Sequence, residues 1–148
     1  MKHLLIIGLI GMTTFLISKL TIQPTDSMTH TFYFKSSEAP VRNDAVEFQF
    51  HHPFVMDNKE ISLTKRLACM PGDSLIIDNG MIFCNYKIIS TGGEMRIGGH
   101  VLPTITFDGV IPSDKAFVLG DSLDSFDSRY WGFTQYKNLH KLTPLFNW

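Results

Sequence analysis

The stretch 61–73, ISLTKRLACMPGD, indicates the fold class. Ile61, Leu63 and Leu67 alternate with more polar residues, which is the period-2 pattern of a β-strand with one buried face. Pro71-Gly72 then interrupts the pattern, because proline lacks a backbone donor and glycine permits the backbone of a turn. We therefore predict a β-strand that ends before this turn.

Segments of the same kind occur on both sides of this strand. Upstream, the segment 46–50 alternates between apolar and polar residues. Downstream, Asp78-Asn79-Gly80 is typical of a hairpin turn between the β-prone segments 75–77 and 81–89. The segment 116–119 is an apolar strand that runs into a glycine. Together these segments predict a mostly-β fold.

The amino-acid composition excludes several other classes of protein. The chain has 148 residues, enough for one domain, and its 44% hydrophobic and 18% charged content excludes a disordered chain and a coiled coil. Its 13 basic and 14 acidic residues give a net charge of −1, so we predict no nucleic-acid partner. The 12 Phe, 11 Gly and 7 Pro favour a β-rich domain with many turns over a helical bundle.

The N-terminal residues differ from the rest of the chain. Met1–Ile22 contains no acidic residue, and Leu4–Ser18 is uncharged throughout. If Lys19 extends its amine to water and Leu20–Ile22 continue a helix, the segment spans a bilayer core of about 30 Å. Bulky residues occupy the positions where a leader cleavage site needs small ones. We predict an uncleaved transmembrane helix here rather than a buried core helix.

The chain is therefore predicted to have a membrane anchor over 1–22 and an extracytoplasmic domain over 23–148. Within that domain, the segment at about 74–115 is predicted to be a looser hairpin insertion. An extracytoplasmic location permits disulfides. Cys69 and Cys84 allow one pairing, and the alternative is two small buried side chains. The sequence leaves both open.

Lys65 is out of place in the predicted strand, because its side chain shares a face with apolar residues. Burial disfavours the ammonium form and lowers the pKa, and an amine that is neutral near pH 7 is a general base. The alternative is a lysine at the end of the strand that extends its amine to water. Periodicity alone favours that alternative.

A base needs a nucleophile, and Ser27 follows closely on the predicted anchor in the segment 24–28, PTDSM. A hydroxyl is a weak nucleophile unless a positioned base takes its proton. A serine here would lie at the membrane surface, where a membrane-inserted substrate also emerges. By itself, it is an ordinary loop serine. The six histidines offer another base, but none lies in a recognisable triad motif.

Three blocks of sequence occur in a distinctive order. They are Ser27-Met28, then Lys65-Arg66 with Pro71-Gly72-Asp73, and then the segment 120–132, GDSLDSFDSRYWG. In order and approximate spacing they resemble the signature blocks of the type I signal peptidases, which are membrane-anchored Ser/Lys endopeptidases. The third block is highly specific. The resemblance implies the coiled β-sheet domain of that family, with one N-terminal transmembrane helix.

The resemblance also implies roles for individual residues, and it implies no metal and no organic cofactor. Ser27 would be the nucleophile and Lys65 the general base. Thr25 and the Ser27 backbone N–H would form the oxyanion hole. Ser125 would orient the lysine amine, and Asp127 and Arg129 would form a structural ion pair near the site.

The details are most similar to the TraF branch, the conjugative-transfer signal peptidases. The segment 124–130, DSFDSRY, has the tighter form of the third block, Phe32-Tyr33 supplies an aromatic turn, and Pro144-Leu145 lies near the end. Thr29 stands where the family usually has Pro after Ser-Met, and Thr31 stands where the TraF branch commonly has Gly before its aromatic. These two departures leave the backbone path after Ser27 open.

The function that the resemblance implies is a serine endopeptidase of the bacterial inner membrane, with its catalytic domain in the periplasm. Its partners would be the membrane and a precursor polypeptide, of pilin type, cleaved during conjugative transfer. One alternative is a general type I signal peptidase for secreted preproteins. Another is a non-catalytic, membrane-anchored assembly factor on the same fold. A LexA-like self-cleaving repressor shares the Ser/Lys chemistry, but the predicted anchor counts against it.

Overall fold

The computed structural model describes residues 14, 17–55 and 59–146. The described part is mostly β, as the sequence predicts. Besides the helical residues 14, 17 and 18, its helices are a short α1 and one turn of 3-10 helix at Tyr136–Asn138. In chain order, the strands and α1 are β1 Leu20–Ile22, β2 Phe32–Lys35, β3 Ala45–Phe50, β4 Ile61–Cys69, β5 Ser74–Asp78, β6 Met81–Cys84, β7 Lys87–Thr91, β8 Glu94–Ile97, β9 His100–Pro103, β10 Phe107–Val110, β11 Lys115–Leu119, α1 Ser128–Trp131, β12 Thr134–Gln135 and β13 His140–Phe146.

The main sheet has seven strands in the order β1-β2-β13-β3-β4-β11-β12, and all neighbours are antiparallel. The strand predicted from 61–73 is β4, and it lies between β3 and β11. Lys65 pairs with Val46 on β3, and Arg66 pairs with Leu119 on β11. Because β4 pairs with a strand on each side, its register with β3 and β11 fixes where the Lys65 side chain leaves the sheet.

Two apolar clusters cover the two faces of β4, which explains why its second half is buried on both sides. Leu67 packs in one cluster with side chains of β3 and β11, such as Phe48 and Val118. Ala68 packs in the other with Leu75, on β5. The alternation of exposed and buried residues therefore holds only at the start of the strand.

The segment predicted as a looser insertion forms a second sheet, in the order β10-β5-β6-β7, and a separate β8-β9 hairpin. Its inner face is tightly packed, since Leu75 and Ile82 have no exposed surface. The hairpin turn predicted at 78–80 is present, with positive φ at Asn79 and Gly80. The single strand predicted over 81–89 is wrong, because Asn85 and Tyr86 adopt positive φ and separate β6 from β7.

A disulfide joins Cys69, at the end of β4, to Cys84, at the end of β6, with the two Cα atoms 6.0 Å apart. Of the two alternatives that the sequence leaves open, the structure contains the pairing. The bond ties the second sheet to the strand that carries Lys65. The nearby Asp73 carboxylate completes a group of three potential metal ligands, but disulfide sulfurs cannot bind a metal as thiolates.

The predicted anchor lies mostly outside the described residues. Its last three residues, Leu20–Ile22, form β1 and pair with Phe32–Phe34 of β2. The prediction that they continue a helix is therefore wrong, because their backbone groups form the ladder at the edge of the main sheet. Among residues 14, 17–55 and 59–146, the structure contains no helix that is long and apolar enough to cross a membrane.

Candidate active site

Ser27 lies in the turn between β1 and β2, and three hydrogen bonds fix the backbone of that turn. The Gln23 N–H donates to the Thr31 carbonyl at 2.8 Å and closes the turn at its base. The Asp121 N–H donates to the Ser27 carbonyl at 2.7 Å, and the Thr29 N–H donates to an Asp121 carboxylate oxygen at 3.0 Å. The loop after β11 therefore holds the Ser27 carbonyl in place.

Lys65 projects from the middle of β4 and is 4% exposed. Its Nζ donates a hydrogen bond to Ser125 Oγ at 2.8 Å, so the amine is oriented by a neutral hydroxyl rather than by an ion pair. Burial lowers the pKa of Lys65 to about 8, against the opposing attraction of Asp127. The structure therefore buries Lys65, although periodicity alone favoured an amine that extends to water.

Gly120 allows the Ser27 turn and the Ser125 loop to approach each other. A Cβ on Gly120 would collide with the Ser125 side chain and would lie 2.8 Å from the Ser27 carbonyl oxygen. Any larger residue would therefore push apart the two segments that carry a hydroxyl of the site. In the sequence this glycine ends a predicted strand and begins the third signature block.

Ser27 and Lys65 line the same cavity, of about 640 Å³, together with Thr25 and Ser125. The structure thus brings together residues from β1–β2, β4 and the loop after β11. Side chains such as Leu63 supply an apolar wall. Of the described residues that line the cavity, none is a histidine, so these residues do not form a Ser-His-Asp arrangement.

Asp127 and Arg129 do not line this cavity but lie behind it as a buried pair. Arg129 Nη2 lies 2.7 Å from Asp127 Oδ2, and the two side chains are 1% and 0% exposed. Arg129 Nη2 also donates to the Ser125 carbonyl at 3.2 Å, and Asp127 accepts from the Gly120 N–H at 2.8 Å. The pair therefore holds the loop that orients Lys65.

Thr25 and Ser27 have hydroxyls in direct contact, since Thr25 Oγ1 and Ser27 Oγ lie 3.0 Å apart. A third residue, which the sequence analysis missed, completes the group. Gln23 Nε2 lies 2.5 Å from Thr25 Oγ1 and 3.4 Å from Ser27 Oγ. No periodicity or motif marks a polar residue between a short strand and a proline, so the sequence carried no signal for it.

Thr29, one of the departures from the family pattern, has a defined partner. Its hydroxyl donates to an Asp121 carboxylate oxygen at 2.8 Å, and the other Asp121 oxygen accepts from Arg66 Nε at 3.0 Å. Burial raises the pKa of Asp121, but the hydrogen bonds from Thr29 and the Arg66 guanidinium outweigh it and hold that pKa below its usual range. The threonine therefore helps to fix the turn.

The depressed lysine pKa predicts a pH-dependent stability. Because folding favours the neutral amine, its cost of about 3 kcal/mol is fully present below pH 8 and disappears between pH 8 and 10.5. We expect Lys65→Met to be at least as stable as the parent near pH 7.5, with an advantage that shrinks as the pH approaches 10. Urea unfolding at a series of pH values measures this difference. The exposed Lys87→Met is the matched control, and parallel curves for the parent and Lys65→Met would contradict the prediction.

The comparisons with known proteins agree on one family. The family model of signal peptidase, peptidase S26, matches residues 2–148. Signal peptidase I U of Bacillus subtilis is 32% identical over 136 residues, which is 83% of this chain and 68% of the relative. A probable signal peptidase I-2 of Synechocystis sp. is 30% identical over 102 residues, which is 68% of this chain and 44% of the relative.

The match to other relatives is more partial. Signal peptidase I of Bacillus caldolyticus is 30% identical over 55% of this chain and 51% of its own. The chain thus spans about half the length of two of the curated relatives that it matches. A solved signal peptidase I of Enterococcus faecalis has 23% identity and a TM-score of 0.46, over 73% of this chain and 99% of its own. By the match along nearly its whole length, this chain belongs to the type I signal peptidase family, peptidase S26.

Proposed function

We propose that the chain is a serine endopeptidase of the signal peptidase type, with Ser27 as the nucleophile and Lys65 as the general base. One observation carries the proposal: a buried amine with a pKa of about 8 shares a cavity with the hydroxyl of a fixed turn. A lysine with that pKa is partly neutral near physiological pH and is able to accept a proton.

The reaction follows from these positions. Lys65 takes the Ser27 proton as the hydroxyl oxygen attacks the scissile carbonyl, and the tetrahedral oxyanion is stabilised by the Ser27 N–H and the Thr25 hydroxyl. The C–N bond breaks, the leaving amine takes the proton from Lys65, and the substrate carbonyl remains on Ser27 as an ester. Water then attacks the ester while Lys65 takes a proton from it. Lys65 gives that proton to Ser27 Oγ as the bond between this oxygen and the acyl carbon breaks, and the product leaves with its new carboxyl end.

The remaining residues have supporting roles in this proposal. Ser125 accepts a hydrogen bond from the Lys65 amine and so directs its lone pair when it is neutral. Asp127 and Arg129 hold the backbone of that loop. No metal or organic cofactor takes part.

The substrate in this proposal is a precursor polypeptide at the outer face of the bacterial inner membrane, to which the N-terminal segment anchors the enzyme. The TraF-like form of 124–130 favours a pilin-type precursor matured during conjugative transfer. The relatives matched here are named signal peptidase I, and their names favour a general secretory preprotein instead. Comparing the rates at which the same membranes cleave a pilin-type precursor and a secretory preprotein distinguishes these substrates.

Ser27→Ala tests the proposal. The Ser27 carbonyl, which anchors the turn, is retained in alanine, so folding should be nearly unchanged while precursor cleavage falls to background. The measurement is the appearance of the shortened precursor in membranes that contain the variant. Ser37→Ala, at an exposed serine outside the site, is the matched control. Parent-level cleavage by Ser27→Ala would remove Ser27 from the mechanism, whereas absence of cleavage by the parent would favour the non-catalytic assembly factor.

A further inference from the structure

The Gln23 carboxamide lies at the hydroxyl pair that includes the proposed nucleophile. Its Nε2 is 2.5 Å from Thr25 Oγ1 and 3.4 Å from Ser27 Oγ, and the two hydroxyl oxygens are 3.0 Å apart. Gln23 directly follows β1, and its backbone N–H bonds to the Thr31 carbonyl at the base of the turn. Its side chain is therefore held at the same turn as the two hydroxyls.

The donor and acceptor capacities of these groups give Gln23 a chemical role. A carboxamide nitrogen only donates, whereas each hydroxyl has one proton and two lone pairs. Because Nε2 donates to one lone pair of Thr25 Oγ1, the Thr25 proton points away from the carboxamide, and donating it to Ser27 Oγ is one of the two directions open to the hydroxyl pair. With the Thr25 proton on Ser27 Oγ, the Ser27 proton is left for the base, and the lone pair that faces the longer 3.4 Å contact with Gln23 becomes free for the attack when that contact opens.

This arrangement has two consequences for the reaction. Donors on Ser27 Oγ stabilise the negative charge that develops on it as the proton leaves, because a hydrogen bond to a charged oxygen is stronger than one to a neutral oxygen. A Thr25 hydroxyl whose lone pair is occupied by Gln23 is also set to donate to the oxyanion once the tetrahedral intermediate forms. The carboxamide thus acts on the nucleophile and on the oxyanion hole together.

We propose that Gln23 is a positioning residue that holds the Thr25 and Ser27 hydroxyls as donor and nucleophile for the attack. This inference rests on the proposed Ser27/Lys65 function. It adds Gln23 to that mechanism. Loss of Gln23 should slow the chemical step and leave the binding of substrate unchanged.

Two variants test the role. Gln23→Met has similar length and no donor, so kcat should fall about tenfold to a hundredfold while KM stays within about twofold. Gln23→Glu keeps the shape but presents a carboxylate to the hydroxyls. It should lower kcat at least as much, and its negative charge in the Lys65 cavity should raise the pKa of Lys65 and move the ascending limb of the rate profile, on which the free amine appears, to higher pH.

The measurements are kcat, KM and the pH profile of peptide cleavage, with thermal unfolding to show that each variant is folded. Gln49→Glu, at an exposed position on β3, is the control for the added charge and should leave both parameters unchanged. A folded Gln23→Met with kcat within twofold of the parent would overturn the inference, as would a rise in KM alone. An inactive parent, or an active Ser27→Ala, would instead refute the proposed function itself.

Discussion

Lys65→Arg is expected to be as inactive as Lys65→Ala, with cleavage reduced by several orders of magnitude. Arginine keeps the positive charge but stays protonated in proteins, so it cannot accept the Ser27 proton. The Lys65 amine, in contrast, has its pKa lowered to about 8 by burial and therefore provides a neutral form for the reaction. The measurement is the single-turnover rate of precursor cleavage at pH 8.

The neighbouring residue supplies the matched control. Arg66 follows Lys65 on β4 but is half-buried and pairs with the Asp121 carboxylate at 3.0 Å, where a cation is sufficient. Arg66→Lys should therefore keep most of the activity. If Lys65→Arg cleaved at a rate comparable to the parent, Lys65 would be a structural cation and the Ser/Lys mechanism would be wrong.

The sequence predicted β4 and the unusual lysine for a clear physical reason. A period of two places Lys65 with Ile61 and Leu63 on one face, and burial of that face follows from the apolar neighbours. Periodicity could not decide between a buried amine and one that reaches water, because that depends on what covers the strand. The loop after β11, which brings Ser125 to the Lys65 amine, comes from a distant part of the chain.

The features that the sequence missed depend on contacts between distant residues or on unusual backbone. The break between β6 and β7 lacks a glycine, and Tyr86 at positive φ is uncommon. It is supported by Asn85, whose side chain accepts from the Ser74 N–H and donates to Asp73. Leu20–Ile22 read as the end of a helix because their apolar character fits a helix or an edge strand, and only pairing with β2 decides between them.

The residues of the candidate site likewise divide into those that the sequence indicated and those that only the structure revealed. Resemblance indicated Ser27, Lys65 and Ser125 and placed Gly120 in the third block, whereas Gln23 and the reason for a glycine at 120 emerged only from the geometry. Gly120 is needed because two loops meet there, and Gln23 because a turn returns its side chain to the hydroxyls. Neither requirement leaves a mark in a single sequence.

Arg129→Met is expected to lower the free energy of unfolding by about 3–5 kcal/mol, the usual cost of removing one partner of a buried ion pair. Asp127 would remain without exposed surface and without its guanidinium. Carbonyls of Thr91, Ser122 and Ser125 would lose the donor that Arg129 now gives them. Urea unfolding at pH 7 measures the loss.

Arg42→Met is the matched control, because Arg42 also binds a carboxylate, that of Asp73, but its side chain is 39% exposed. Its removal should cost less than about 1 kcal/mol, since water and salt screen such a pair. Replacing both buried partners, in Asp127→Leu with Arg129→Met, should recover part of the loss because no unpaired charge remains. If Arg129→Met were no more destabilising than Arg42→Met, the buried pair would not be what holds the Ser125 loop.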